Sequence, residues 1–291
     1  MLNKGEVLIL GQSGFIGSHL APVLQMYGRK TIGQSLPDMD LSNRSCLQNL
    51  VPYLSPTTTV ILLAAVKRQF GDTMDTYKTN VAIVSNICEL IAANPVRRVL
   101  FLSSAAVYGE ETHNTNINEA TPVNPTSYYG IAKYAAERLL QKALRSVSSL
   151  ICMRPPLVYG SKDAGHTYGP AGFVAAAKNG VPITLWGDGM ELREFLYVDD
   201  LCEIIAQLID SEYTGVVNTV SGTSYNFTDI IKLLQSFYPN LSIAPQERTK
   251  RKVDNVFDPK LIMSLVPANH SWTSLKNGIA NLLDLYPGNL C

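Results

Sequence analysis

Apolar and polar positions along the first half of the chain alternate between two periods. Residues 6–10 are a short β-rich apolar run ending in glycine, and 15–27 carry apolar residues at helical spacing, closed by Gly28 in the place of a C-cap. A second strand is predicted at 31–35. Residues 59–65 form an unbroken apolar run, the pattern of a parallel strand buried on both faces. A helix over 81–93, a buried strand over 98–103, a long helix over Tyr128–Leu144 and a strand over 150–154 follow. Strands alternating with helices in this way predict an α/β fold with a doubly wound parallel sheet.

Beyond residue 160 the texture changes. Glycine and proline punctuate 160–182, short strands are expected at 184–186 and at Gly215–Asn218, and a helix at 201–209. The expected division is a main domain over 1–160 and a smaller C-terminal α/β lobe over 161–291, with some segments returning to the main sheet. Internal repeats and low-complexity linkers are absent from the sequence.

Composition narrows the class. Apolar residues make up 46% and charged residues 16% of the 291, as in a compact globular protein. The 24 basic residues balance the 24 acidic ones, so no global field draws in nucleic acid or an anionic membrane. Five scattered cysteines (Cys46, Cys88, Cys152, Cys202, Cys291), never spaced as C-x-x-C, argue against a disulfide framework and against a metal site. Neither a signal-peptide core nor a membrane-length apolar stretch is present, and a cytoplasmic protein is expected.

Local chemistry is concentrated in a glycine-rich turn. Gly11-Gln12-Ser13-Gly14-Phe15-Ile16-Gly17 follows the first strand and opens a helix. Glycines there allow a tight turn, close approach of a pyrophosphate and close helix–strand packing, and the free N–H groups of the helix start face the anion. This predicts a Rossmann dinucleotide site. An acid at the end of the second strand would bond the ribose 2′-hydroxyl of NAD, but Gly33-Gln34-Ser35 stands there, with no acid before Asp38. That leans the expectation toward NADP over NAD, with Arg29, Lys30, Ser35 or Arg44 meeting the 2′-phosphate. Asp40 and Leu41 suit the adenine ring.

Tyr129 and Lys133 lie four apart on the predicted Tyr128–Leu144 helix and share a face. A nearby ammonium stabilises a phenolate, as proton transfer near neutral pH requires. Ser104 sits at the carboxyl end of a buried strand, where open α/β sheets bind ligands, and its hydroxyl can bond the oxygen that gains or loses the proton.

Together these residues resemble the extended short-chain dehydrogenase/reductase family of nucleotide-sugar epimerases, dehydratases and ketoreductases. The resemblance spans essentially the whole chain. It covers the glycine run, Ser103-Ser104-Ala105-Ala106-Val107-Tyr108-Gly109, Tyr129-Gly130-Ile131-Ala132-Lys133 and Arg154-Pro155-Pro156-Leu157-Val158-Tyr159-Gly160. It continues through Trp186-Gly187-Asp188-Gly189 to Arg193-Glu194-Phe195-Leu196-Tyr197-Val198-Asp199-Asp200. The resemblance implies Tyr129 as acid/base, Lys133 on the nicotinamide ribose, Ser104 on the reacting oxygen and Arg193 on the substrate diphosphate. It further implies that Ala64, Ala65, Lys67 and Pro156 border the cofactor, with Lys67 also reaching substrate. Asp199 and Asp200 are expected to cap the 201–209 helix. Equivalent helices of the family, here 81–93 and Tyr128–Leu144, pair across a two-fold axis, so a homodimer is expected.

Departures from the family pattern select among reactions. Dehydratases carry an acidic pair where Ala105 and Ala106 stand, which disfavours dehydration. The segments around Lys67 and Trp186 look closest to GDP-fucose synthases, which use a cysteine where Ala106 stands. His166 falls near their second epimerising group. Leu157 replaces an asparagine common in epimerases. The leading expectation is reduction of a 4-keto nucleotide sugar. A 4-epimerase with tightly held NAD is the alternative, and a non-catalytic cofactor-binding scaffold a third reading.

Overall fold

The computed structural model describes residues 5–163 and 169–284. In chain order its first half runs β1 (Val7–Leu10), α1 (Phe15–Met26), β2 (Thr31–Gln34), β3 (Thr59–Leu62), α2 (Met74–Ala93), β4 (Arg98–Leu102), β5 (Asn114–Ile117), α3 (Tyr128–Leu144) and β6 (Ser149–Arg154). The second half runs β7 (Leu157–Tyr159), α4 (Gly169–Lys178), β8 (Ile183–Trp186), β9 (Arg193–Tyr197), α5 (Val198–Leu208), β10 (Gly215–Asn218), β11 (Ser224–Tyr225), α6 (Phe227–Phe237), β12 (Ile243–Gln246), β13 (Asn255–Phe257), α7 (Lys260–Leu265) and α8 (Leu275–Leu282).

Six strands form the main sheet in the order β10-β6-β4-β3-β1-β2, all parallel. Its unbroken apolar strands feed two cores by period-two alternation. Val7, Ile9, Ile61, Leu100 and Ile151 pack with α1 and α5 on one face. Leu8, Leu10, Val60, Leu62, Val99 and Phe101 pack with α2 and α3 on the other. A strand covered on both faces has no polar side to show, which is why these runs read as continuous.

The strand order reverses at β1, flanked by β2 and β3. After β2 the chain adds no further edge strand. It passes through a 3-10 helix over Arg44–Tyr53 and re-enters the sheet as β3 on the other side of β1. The crevice of such a sheet opens at the carboxyl ends of the two strands that flank the reversal.

Several boundaries differ from expectation for local reasons. The second helix begins at Met74, not at 81, because Thr73 and Thr76 form a capping box and the first turn is exposed and carries no apolar stripe. The strand expected over 59–65 stops at Leu62, and the chain bends into the crevice. The helix expected at 201 begins at Val198, so Asp199 and Asp200 lie inside its first turn and do not cap it. Asp199 instead meets His19 Nδ1 at 2.7 Å, and Asp200 accepts from the Thr273 N–H at 2.8 Å and its hydroxyl at 2.7 Å.

The later residues build a third core around Phe173, Phe195, Tyr197, Phe227 and Ile279, covered by α4, α6 and α8. Small sheets flank it: β11-β9-β7, and the parallel pair β12-β8. Strand β10 and helix α5 return to the main sheet, where α5 lies against α1. Among the described residues no helix is long and apolar enough to cross a membrane.

Helix α1 ends as its sequence predicts. Gly28 has φ +70°, its N–H donates to Gln25 O at 2.9 Å, and the Arg29 N–H donates to Leu24 O at 2.9 Å. This paired arrangement satisfies the last carbonyls of the helix. A Cβ on Gly28 would meet nothing within 4 Å, so only backbone conformation resists a side chain there. Gly28→Ala is expected to cost about 1 kcal/mol, the left-handed penalty of an L-residue, in urea unfolding.

Candidate active site

A cleft of about 980 Å³ opens along the carboxyl ends of the central strands. Gly11, Ser13, Gly14, Phe15, Ile16 and Gly17 line one wall. Gly11 has φ +99°, and a Cβ there would come within 2.8 Å of the Ala64 backbone nitrogen. Gly14 precedes α1 and has only Gly11 O, at 3.2 Å, near its missing Cβ, so its face is open. No side chain caps this helix start and its first turn holds no acid. The loop therefore offers uncapped N–H groups and a side-chain-free approach, which fits a dinucleotide pyrophosphate.

The end of the cleft beside β2, where the sequence expects the adenosine, is lined by Gln34, Ser35, Leu36, Met39, Asp40 and Leu41. Ser35 Oγ accepts the Ser13 N–H at 2.9 Å, tying the end of β2 to the glycine loop. The Asp40 carboxylate is turned onto Ser42, accepting its N–H at 2.9 Å and its hydroxyl at 2.6 Å, which holds the acid below its ordinary range. All three cations expected at a 2′-phosphate lie elsewhere. Arg29 pairs with Asp210, Lys30 with Glu6 and Arg44 with Glu89, and none of the three lines the cleft. Of the four candidates only Ser35 lines the cleft, so the cations give the lean toward NADP no support, while the missing acid at the end of β2, on which it rested, stands.

Ser104, Tyr129 and Lys133 come together at the other end, with Pro156 nearby. Ser104 follows β4; its Oγ accepts the Ala106 N–H at 3.1 Å and hydrogen-bonds the Tyr129 side chain. Burial pushes the Tyr129 phenol up to about 12, while the bond to Ser104 pulls it down and the charge of Glu110 raises it. Lys133 is 4% exposed. Its Nζ donates to Leu102 O at 2.7 Å and lies 5.7 Å from the Tyr129 ring centre. Burial lowers its ammonium to about 8, and the carboxylate of Glu137 opposes that shift.

Beneath this pair lies a polar network that sequence reasoning did not assign. Glu137 accepts Arg154 Nε at 2.9 Å and Nη2 at 2.6 Å, and also the Ser103 hydroxyl. Arg154 Nη1 donates to the Tyr108 hydroxyl at 2.9 Å, which donates to Asn218 Oδ1 at 2.8 Å. Every member is buried. The recurring spacing Tyr129, Lys133, Glu137 on one helix was the available signal.

Ala64, Ala65 and Lys67 form the loop after β3 and line the cleft. Lys67 Nζ is 3.3 Å from Asp163 Oδ1 and 4.8 Å from the Phe15 ring centre. Buried Asn80, also missed, fixes this loop: its Oδ1 accepts the Val66 N–H at 2.7 Å and its Nδ2 donates to Val66 O at 3.0 Å. Arg193 reaches the cleft wall, but its Nη1 donates to the carbonyls of Leu192, at 2.9 Å, and Val253, and its Nη2 lies 3.5 Å from Glu191. Its fork is thus partly committed to the protein. Arg193 also borders a neighbouring hollow of about 370 Å³ that holds Trp186, Arg248, Lys250 and Arg251. Leu157 lines the cleft and is exposed; His166 lies outside the described residues.

This fold and site define a protein of the extended short-chain dehydrogenase/reductase type. The model of the NAD dependent epimerase/dehydratase family matches residues 7–226, and the chain belongs to that family. Over its whole length it is 27% identical to the putative GDP-L-fucose synthase 2 of Arabidopsis thaliana, covering 94% of that protein. Over 78% of its length it is 27% identical to the N-acetyl-alpha-D-glucosaminyl-diphospho-ditrans,octacis-undecaprenol 4-epimerase of Escherichia coli O157:H7, covering 70% of it. Among solved structures it resembles MoeE5 in complex with UDP-glucuronic acid and NAD (TM-score 0.83, 26% identity, 96% of this chain and 98% of that one). Its fold also matches the UDP-glucose 4-epimerase of Thermus thermophilus (TM-score 0.82, 22% identity, 96% and 99%).

The depressed Lys133 value has a consequence for stability. Between about 8 and its ordinary 10.5 the unfolded chain holds a proton that the folded chain releases, so this group's contribution to stability rises with pH across that window. Below it, the buried ammonium is a cost. Lys133→Met in cofactor-free protein is expected to melt above wild type at about pH 7, the gap narrowing towards about pH 10. Paired thermal melts at the two pH values check this.

Proposed function

We propose that this chain transfers hydride at a single carbon of a nucleotide-diphosphate sugar, reducing a 4-keto group with Tyr129 as proton donor. One observation carries the reading: of the five cleft-lining acids among the described residues, four are each paired with a cation or a hydroxyl, and none stands directly after Ser104. Asp40 is held by Ser42, Glu110 by Arg68, Glu111 by Lys250 and Asp163 by Lys67, while Glu194 accepts the N–H groups of Ser221 and Gly222 through Oε1 alone, its buried Oε2 has no partner, and burial raises its carboxyl to about 7. Ala105 and Ala106 bring no further acid or base beside Ser104. The Tyr129 hydroxyl, beside Ser104, is the group to which this reading assigns the proton.

A bound nicotinamide would supply the hydride that reaches the carbonyl carbon. Tyr129 gives its proton to the oxygen, and the Ser104 hydroxyl donates a hydrogen bond to the same oxygen as charge builds on it. Lys133 offsets the charge left on the phenolate and is placed to hold the nicotinamide ribose. Gly11 to Gly17 receive the pyrophosphate, and Ser35, Asp40 and Leu41 border the adenosine. Lys67 and Arg193 face the substrate side. The sugar-nucleotide substrate is supported by the names of the relatives and by MoeE5.

A second reading, a 4-epimerase that keeps NAD through its cycle, is favoured by the adenosine end. None of the cations expected to meet a 2′-phosphate lines the cleft there, as suits NAD. Assembly as a homodimer through α2 and α3 is supported by the exposed side chains of Tyr128, Ile131 and Leu139 on α3 and Met74 on α2.

The deciding experiment denatures the purified protein and identifies any nucleotide released. Stoichiometric NAD selects the epimerase; an empty protein that oxidises added NADH or NADPH with a keto-sugar nucleotide selects the reductase. Tyr129→Phe is expected to lower turnover by about 10²–10⁴-fold while cofactor binding, followed by fluorescence titration, persists.

A further inference from the structure

Tyr129, Lys133 and Glu137 recur at intervals of four along α3 and therefore stack on one face, the face pressed against the end of β4. Lys133 holds the Leu102 carbonyl and Glu137 holds the Ser103 hydroxyl, so the two charges grip the last residue of β4 and the one after it, just before Ser104. Glu137 is 1% exposed and its carboxylate is met by two nitrogens of Arg154, itself 3% exposed. Arg154 is locked in turn by Tyr108, and Tyr108 by Asn218.

We propose that Glu137 is a positioning residue for the proton-transfer pair: its carboxylate, fixed by Arg154, keeps Lys133 in the ammonium form beneath Tyr129. The proposal rests on the roles given above to Tyr129 and Lys133.

The physical need is plain from the surroundings of Lys133. Its ammonium is buried against the Phe101 ring, 5.0 Å away, the Leu102 carbonyl and the Tyr129 ring. Such a site favours the neutral amine, and a neutral amine cannot support a phenolate. The groups that face this region are few. From α3 they are Tyr129 and Glu137; from the turn after β4, the Ser104 hydroxyl; and from β6, Arg154 and the Cys152 thiol, both of which feel Glu137. Glu110 acts on Tyr129 from the cleft side, and Asp72 accepts the Tyr129 N–H at 3.0 Å. Of these, Glu137 is the carboxylate whose charge favours the Lys133 ammonium. Arg154, by its bidentate grip, fixes where that charge sits.

The test is a titration of Lys133 itself in the cofactor-free protein, which needs no turnover. Protein carrying lysine labelled with carbon-13 at Cε is followed by NMR against pH, and the Lys133 signal is assigned by its loss in Lys133→Met. Wild type should titrate near 8. Glu137→Gln should titrate lower by at least about one pH unit. A buried guanidinium left alone can unfold the chain, so Glu137→Gln/Arg154→Met, which removes both charges, is measured beside it. A Lys133 midpoint unchanged from wild type in either folded variant overturns the proposal. A shifted midpoint with no activity on any keto-sugar nucleotide, in wild type as well, leaves the tuning intact and removes the proposed reaction instead. Where turnover is found, the alkaline limb of the rate profile should move with the midpoint. A purely structural role would lower the melting temperature and leave both the midpoint and the limb in place.

Discussion

The bidentate pair between Glu137 and Arg154 is the constraint on which the reacting end of this protein depends. It joins helix α3 to strand β6 across the end of β4, and through Tyr108 and Asn218 it reaches the end of β10. Charges this deeply buried survive only when paired and hydrogen-bonded throughout, and losing one partner costs about 3–5 kcal/mol. The pair therefore holds four segments in one relative placement. It also explains why a serine before Ser104, the tyrosine of Val107-Tyr108-Gly109 and the arginine of Arg154-Pro155 belong together in this chain: their side chains are members of one network.

Above that network the sheet supplies position and the loops supply chemistry. Reversal of strand order at β1 opens the crevice, and the glycine turn after β1 shapes its anion-binding wall. The loop after β3 is fixed from behind by Asn80, and the turn after β4 carries Ser104. Each functional segment thus starts at the carboxyl end of a strand whose own residues are wholly buried. A rigid origin for each loop keeps the separations between Ser104, Tyr129 and Lys133 short and fixed.

Charge is distributed unevenly along the cleft. Near the reacting end and the substrate wall, cations and acids occur in pairs: Lys67 with Asp163, Arg68 with Glu110, Lys250 with Glu111. An anionic substrate entering there exchanges existing partners and does not meet bare charge. At the adenosine end the lining is Ser35, Met39, Leu41 and an Asp40 already satisfied by Ser42. The contrast separates a wall of paired charges from a wall that is largely apolar and neutral.

Much of this was legible along the chain. Unbroken apolar strands alternating with helical spacing determined a parallel sheet, because burial on both faces leaves no other pattern. The glycine run, Ser104, Tyr129 and Lys133 were legible too, because a tight turn and a four-residue helical spacing are local properties. Two helix starts were not: the first turn of α2 is set by a Thr73–Thr76 capping box on an exposed face, and Asp199 and Asp200, which look like caps of α5, face His19 and Thr273. Nor were the partners of charged side chains. Arg29, Lys30 and Arg44 are close in sequence to the ribose strand, yet each is drawn to an acid outside the cleft, two of them to Glu6 and Glu89 and one to Asp210 just past the end of α5. The sequence by itself determined the sheet, the glycine turn after its first strand and the helix face that carries Tyr129 and Lys133. Only the tertiary structure decided which charges meet, because a long side chain chooses its partner by distance in space, and no spacing along the chain encodes that distance.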